Sequence, residues 1–138
     1  MEYGQGIELL LPYSEAVQAV KAALKEQGFG VLTEIDVKAT MREKIDRDIE
    51  DYVILGACNP HLASQALDVD RRIGLLLPCN VVSAMAATAG PSSRCSTRMS
   101  WSPSPERDEL TPVADEAARR LSAALSALSA GNPAATAG

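Results

Sequence analysis

The segment Tyr52–Ala57 constrains the fold of this chain more than any other feature, because it is short, almost wholly apolar and sharply bounded. An apolar run of this length is typical of a strand buried in the middle of a sheet. The residues that follow Cys58 are Asn59 and Pro60, which are preferred types for the N-cap and the first turn of a helix. We therefore predict a central strand that passes directly into a helix at Cys58.

The residues before this strand predict two more strands and two more helices. A first strand over residues 6–11 precedes a helix with Ser14 as its N-cap and Gly28 in the left-handed position after its last turn. The alternating pattern of residues 29–35 predicts a second strand, and Asp36 is the expected N-cap of a short helix after it. Short strands interspersed with amphipathic helices indicate an α+β fold.

The residues after the central strand predict a fourth strand and a long final helix. The strand covers residues 75 to about 82, and Pro78 inside it implies a sheet edge or a bulge, because proline cannot donate a ladder hydrogen bond. The helix begins at Thr111 and ends at Gly131, with an apolar stripe on one side and Arg120 on the solvent side.

The length of 138 residues is near the commonest size for one domain. We predict a single domain over residues 1–130 and a disordered tail over residues 131–138, which are small and polar.

Charge and composition exclude several classes of partner. The net charge of -5 argues against nucleic acid, since phosphate binding needs a basic surface. No apolar run approaches the roughly 20 residues that a membrane span requires. The N-terminus lacks the basic and apolar halves of a signal peptide, and three well-separated cysteines are expected to be free thiols in a reducing compartment. We therefore expect a cytoplasmic protein that binds neither nucleic acid nor a membrane.

Residues 83–105 differ in composition from the rest of the chain, because they are rich in Ser, Ala, Thr, Arg and Pro and show neither helical nor strand periodicity. A structureless loop of about 20 residues is unusual in a small domain. One interpretation is a shifted reading frame, since back-translating residues 83–104 with G/C-rich codons and changing the frame gives a turn, a strand and a short helix. The other interpretation is a genuine disordered insertion.

The candidate site lies at two strand ends with the same local pattern, Cys58–Asn59–Pro60 and Cys79–Asn80. Each pattern places a thiol beside an amide. Cys58 precedes a helix N-terminus, where unpaired N–H groups and the helix dipole favour a thiolate or a bound anion. The structural alternative is that both cysteines are buried and that Asn59 acts only as a helix cap.

Two further residues complete the candidates. His61, the single histidine, could pair with Cys58, although a histidine in a first turn is more commonly a surface residue. Glu34 could act with Asp36 as a carboxylate pair, although both are more simply solvent-facing. We expect no metal and no cofactor, because the spacing of His, Cys and carboxylates fits no metal site and no glycine-rich phosphate loop is present.

Three stretches resemble the bacterial and archaeal family called Domain of Unknown Function 302, in its order and spacing over roughly residues 5 to 82: Phe29–Thr40, Tyr52–Pro60 and Ile73–Val82. The resemblance implies a compact two-layer fold, in which a single sheet of four to five strands packs against helices, and it commonly implies a homodimer. It implies no established activity. The departure is residues 83–105, where the family usually has a strand ending in Asp-Pro and a short helix. Read as printed, the chain is expected to lack that strand and to leave a sheet edge open.

These observations favour a ligand-binding or accessory module with a small-molecule site near the two Cys–Asn strand ends. A first alternative is a thiol-dependent enzyme or redox sensor, with Cys58 as the nucleophile and His61 or a backbone N–H group as its helper. A second alternative is a structural module that binds another protein. The ligand-contacting residues expected for the leading hypothesis are the following: Glu34, Cys58, Asn59, Pro60, Cys79 and Asn80.

Overall fold

The computed structural model describes residues 4–85, 95–99, 108–131 and 136–137. Its four α-helices and two 3-10 helices lie among the strands of one antiparallel sheet, which confirms the predicted α+β class. The strands are β1 (Gln5–Leu9), β2 (Gly30–Asp36), β3 (Tyr52–Cys58), β4 (Cys79–Met85), β5 (Cys95–Met99) and β6 (Thr136–Ala137). The α-helices are α1 (Tyr13–Glu26), α2 (Val37–Ile45), α3 (Pro60–Val69) and α4 (Thr111–Gly131), and the 3-10 helices cover Arg71–Leu76 and Asp108–Leu110.

The strand order is β2-β3-β4-β5-β1-β6, and every recorded pairing is antiparallel. β3 lies between β2 and β4, which confirms the central strand predicted from its apolar run. The predicted fourth strand differs, because residues 71–76 form a 3-10 helix and the strand begins only at Cys79. Pro78 therefore precedes β4 and marks no edge, since β4 pairs on both sides.

The atypical segment 83–105 contributes to the sheet, in contrast to the expectation that the chain lacks a strand here. β4 continues to Met85, and Cys95–Met99 forms β5 between β4 and β1. Residues 86–94 and 100–105 lie outside the described residues. Within the range predicted as a disordered tail, Thr136 and Ala137 pair with β1, while residues 132–135 and 138 also lie outside the described part.

The shifted-frame interpretation of residues 83–105 remains a prediction, and it can be tested by mass. If the shifted frame is correct, the intact native protein, purified from the organism that makes it, should have the mass of the shifted-frame chain. Resequencing the gene across codons 80 to 108 provides the control. A native mass that equals that of the printed sequence would contradict the shifted frame and establish a genuine insertion.

The main core lies between one face of the sheet and helices α1 and α4. The central strands contribute Leu55 and Val81, and α1 contributes Val20 and Leu24, all fully buried. A second cluster of buried residues lies under α3 and the start of α4: Leu62, Ala66, Ile73, Leu110, Val113 and Ala117. None of the described helices is long and apolar enough to cross a membrane.

Four residues are predicted to cap or to follow a helix, and three of them have that role: Gly28, Asp36 and Asn59, but not Ser14. Asp36 accepts a hydrogen bond from the backbone N–H of Ala39 at 2.9 Å and so caps α2. Gly28 follows α1 with a φ of 83°, the left-handed conformation that glycine adopts without strain. Asn59 caps α3, as described below. Ser14 is not a cap, because Pro12 occupies the N-cap position of α1 and makes no side-chain cap hydrogen bond.

Candidate functional site

Asn59 lies at the corner where β3 passes into α3, and it is buried, with 4% of its surface exposed. Its Oδ1 accepts a hydrogen bond from the Leu62 N–H at 3.2 Å, and its backbone carbonyl accepts one from the Ala63 N–H at 2.9 Å. Pro60 occupies the first turn of α3, as the sequence predicts. Cys58 is half-buried at the end of β3, so the predicted sequence of strand, thiol, cap and helix is confirmed.

Arg120 of α4 reaches this corner, contrary to the expectation that it lies on the solvent side. Its Nη1 donates a hydrogen bond to the Gln27 carbonyl at 3.5 Å, and its Nε donates to Glu116 at 2.7 Å. A Cβ added to Gly28 would lie 2.9 Å from Asn59 Nδ2 and 3.2 Å from Arg120 Nη1. The end of α1, the cap of α3 and the middle of α4 therefore meet around one glycine.

The two candidate cysteines lie on neighbouring strands but on opposite sides of the sheet. Cys79 is paired with Ala57 and is buried in the main core. Because side chains alternate along a strand, Cys58 projects to the other face. Asn80, which opposes Gly56, shares that other face with Cys58 and is exposed. The structure thus brings Cys58 and Asn80 to one side of the sheet and Cys79 to the other.

Burial controls the ionisation of these thiols. Burial, followed by the neighbouring Cys58, raises the pKa of Cys79 to about 12. Burial also raises the pKa of Cys58, and the described surroundings contribute no cause that lowers it. All three cysteines are free. Because the thiolate is the nucleophile, Cys58 and Cys79 are poor nucleophiles at neutral pH.

The structure does not bring Glu34 to this corner. Glu34 opposes Leu55, three residues before Cys58, a separation of about 10 Å along the strand. Its carboxylate instead forms an ion pair with Lys21 at 2.9 Å. His61 is exposed in the first turn of α3, and the described residues show no hydrogen bond between it and Cys58.

Tyr13 is a residue with an unusual environment that the sequence did not single out. It lies at the start of α1, and its pKa is raised to about 12, first by burial and then by the charges of Asp51 and Asp36. Its phenol is therefore a neutral hydrogen-bond donor at physiological pH. Among the described residues, no three His, Cys, Asp or Glu side chains come together as metal ligands.

Comparison with known proteins gives a fold relationship and a family. The crystal structure of an uncharacterized conserved protein DUF302 from Bacillus stearothermophilus matches with a TM-score of 0.73 and 23% sequence identity, covering 91% of this chain and 98% of that one. At this identity the match shows a shared fold alone. None of the curated proteins compared with the chain matches it. The sequence profile of the family described as domain of unknown function DUF302 matches residues 6–128. Because that match covers most of the sequence, the chain belongs to the DUF302 family.

Proposed function

We propose that this protein is a small-molecule-binding or accessory module whose ligand site lies near the Cys–Asn end of β3, where the Asn59 side chain meets Gly28 and Arg120. The observation that carries the proposal is the Asn59 side chain, which belongs to a buried residue with 4% of its surface exposed. Its oxygen serves the helix cap, and no described group accepts a hydrogen bond from its amide nitrogen. Buried polar atoms almost always have a hydrogen-bond partner, so we expect this nitrogen to donate to a bound ligand or an ordered water.

Binding is favoured over thiol catalysis because the start of α3 has few N–H groups left to stabilise an anion. Pro60 has no N–H, the Leu62 N–H is taken by the Asn59 side chain, and the Ala63 N–H is taken by the Asn59 carbonyl. A helix N-terminus lowers a thiol pKa through these free groups. The pKa of Cys58 is instead raised by burial, which fits a contact residue better than a nucleophile.

The proposal extends to assembly and location. Free thiols on all three cysteines fit a reducing compartment, so we place the protein in the cytoplasm. We also propose that it works as a homodimer. Glu34 is left out of the proposed ligand contacts, because its carboxylate is paired with Lys21 at a distance from the corner.

Iodoacetamide labelling across pH is the experiment that separates binding from thiol chemistry. We expect Cys58 to react more slowly at pH 7 than an unhindered cysteine, because a raised pKa leaves less thiolate at that pH and moves the labelling midpoint upward. Mass spectrometry of the labelled peptides gives the rate at each pH. The Cys58→Ser variant is the control, because its remaining thiols are buried and should react only on unfolding. Rapid labelling of Cys58 well below pH 8 would favour a thiol-dependent enzyme or redox sensor and contradict the proposal.

A further inference from the structure

Gly28 has no side chain, and the place where one would begin lies between two hydrogen-bond donors. A Cβ there would be 2.9 Å from Asn59 Nδ2 and 3.2 Å from Arg120 Nη1. The next nearest described atom outside the chain neighbours of Gly28 is Cγ of Asn59, at 3.9 Å. The two nitrogens are therefore at most about 6 Å apart, and one acceptor group can reach both, since an N–H···O bond spans about 3 Å.

The Asn59 amide is oriented by its role as a helix cap, so its nitrogen is the atom that faces Gly28 and Arg120. Its Oδ1 accepts the hydrogen bond from the Leu62 N–H, which an NH2 group in the same place could not do. Exchanging the two amide atoms would therefore remove the cap of α3. The nitrogen has no acceptor among the described residues, although Asn59 is buried. A buried donor of this kind is unfavourable unless another group accepts from it.

Arg120 brings a positive charge that its ion pair does not fully neutralise. The Glu116 carboxylate accepts hydrogen bonds from Nε of Arg120 at 2.7 Å and from both Nε and Nη2 of Arg119. Two guanidinium groups thus share one carboxylate, and one net positive charge remains. Among the described residues, Nη1 of Arg120 has only the Gln27 carbonyl as an acceptor, at 3.5 Å. The Arg120 side chain is 33% exposed, so a ligand can reach its guanidinium from solvent.

We infer that the ligand of this site carries an acidic oxygen group, a carboxylate or a phosphate, which accepts hydrogen bonds from Asn59 Nδ2 and Arg120 Nη1 together. The inference rests on the ligand site proposed above and specifies the class of ligand. A positive charge and a second donor that face the same space favour a negatively charged acceptor between them. Charge-assisted hydrogen bonds are roughly twice as strong as neutral ones, and the guanidinium group matches the geometry of carboxylate and phosphate oxygens.

An ordered water is the competing occupant of this space. A water molecule can accept from both nitrogens, but it also needs acceptors for its own two hydrogens. The acceptors near Arg120 are already used by arginine, because the Gln27 carbonyl accepts from Arg120 and both Glu116 oxygens accept from Arg119 or Arg120. An ionised carboxylate or phosphate oxygen needs no acceptor and compensates the positive charge, so it fits the site better than water does.

The test is an NMR titration of the full chain at pH 7 with sodium phosphate or sodium acetate, in which sodium chloride keeps the ionic strength constant. The resonances of the Asn59 side-chain amide and of the Gly28 backbone N–H report binding directly. We expect a saturable shift with at least one probe, and Arg120→Gln should raise its dissociation constant at least about tenfold. Arg119→Gln is the matched control and should leave the constant nearly unchanged. Arg119 shares Glu116 with Arg120, but its side chain is 67% exposed and contacts neither Gln27 nor Asn59 among the described hydrogen bonds.

The variant Asn59→Asp tests the amide donor separately. Aspartate is also a good N-cap, so its oxygen can still accept from the Leu62 N–H. The substitution removes the donor and supplies a negative oxygen beside Arg120 from the chain itself. We therefore expect it to abolish the shift of the Gly28 N–H with either probe. Circular dichroism checks that each variant folds, and the two arginine variants decide the question alone if Asn59→Asp does not.

Each outcome supports or overturns the inference. Saturation by phosphate alone identifies a phosphate group, and saturation by acetate alone identifies a carboxylate. Equal losses in Arg119→Gln and Arg120→Gln would overturn the inference, because they would show a general attraction to a basic surface. An unchanged shift in a folded Asn59→Asp variant would overturn the role of the amide donor. The absence of a saturable shift with either probe would overturn the acidic class of ligand, whereas the proposed binding role is tested independently by the labelling of Cys58.

Discussion

Replacing Gly56 by valine is expected to destabilise the fold by about 3 kcal/mol, near the upper end of the usual cost of overpacking a core. Gly56 is buried in the middle of β3, between β2 and β4. A Cβ at this position would overlap the Thr33 hydroxyl and would lie 2.8 Å from Cγ of Pro78. The Pro78 atom belongs to a ring and cannot rotate away, so the backbone of a central strand would have to move.

Urea unfolding of Gly56→Val and of a matched variant, Gly30→Val, measures this effect. Gly30 begins the neighbouring strand β2, is exposed, and has no atom within 4 Å of an added Cβ. Valine there should be neutral or slightly stabilising, because it has a high strand propensity and restricts the unfolded chain more than glycine does. Equal losses in the two variants would show that any glycine replacement in the sheet is costly. An unchanged stability of Gly56→Val would contradict the close approach of Thr33 and Pro78.

The elements that the sequence predicts well are those whose signals are local. Asn59 and Pro60 identify the start of α3 from adjacent residues, and Asp36 identifies the start of α2 in the same way. The sequence predicts a strand from residue 75, but residues 71–76 form a 3-10 helix. A short apolar run such as this one satisfies either structure, and periodicity alone cannot separate them.

The neighbours of β4 could not be predicted because strand pairing is not local. β5 has the sequence Cys95–Met99, which carries a single β-branched residue and no aromatic one, so its strand propensity is weak. It is held as a strand by ladders to β1 on one side and β4 on the other. Tertiary context therefore overrides local preference at this position, and Pro78, which lies before β4, marks neither the predicted edge nor the predicted bulge, because β4 pairs on both sides without a register shift.

The same distinction between local and long-range signals applies to the residues of the candidate site. Cys58 and Asn59 adjoin in sequence and were identified together, whereas Arg120 reaches the Gln27 carbonyl across a separation of 93 residues. A weak sequence signal for this role of Arg120 is Glu116, which lies one turn before it on α4 and forms an ion pair with it. Glu34 was included from its place near a strand end, and the register of β2 against β3 then separates it from Cys58.

Removing the hydroxyl of Thr97 is expected to cost about 2 kcal/mol, because it leaves a buried hydroxyl on Ser83 without its partner. The two residues are directly opposite each other on β4 and β5, both are fully buried, and their oxygens are 3.0 Å apart. Thr97→Val keeps the shape of the side chain and replaces its hydroxyl with a methyl group. Ser83→Ala should cost a similar amount for the same reason.

The double variant Ser83→Ala/Thr97→Val should be much less destabilised than the sum of the two single variants, because it leaves no unpaired hydroxyl in the core. Urea unfolding of the four proteins gives a coupling free energy, and we expect about 1 kcal/mol or more. Additive losses would mean that the two hydroxyls do not meet. The cycle therefore also tests the pairing register of β5. Ser83 and Thr97 both lie in the atypical segment of residues 83–105. Coupling between them requires that this segment, as printed, forms β5 with Thr97 opposite Ser83.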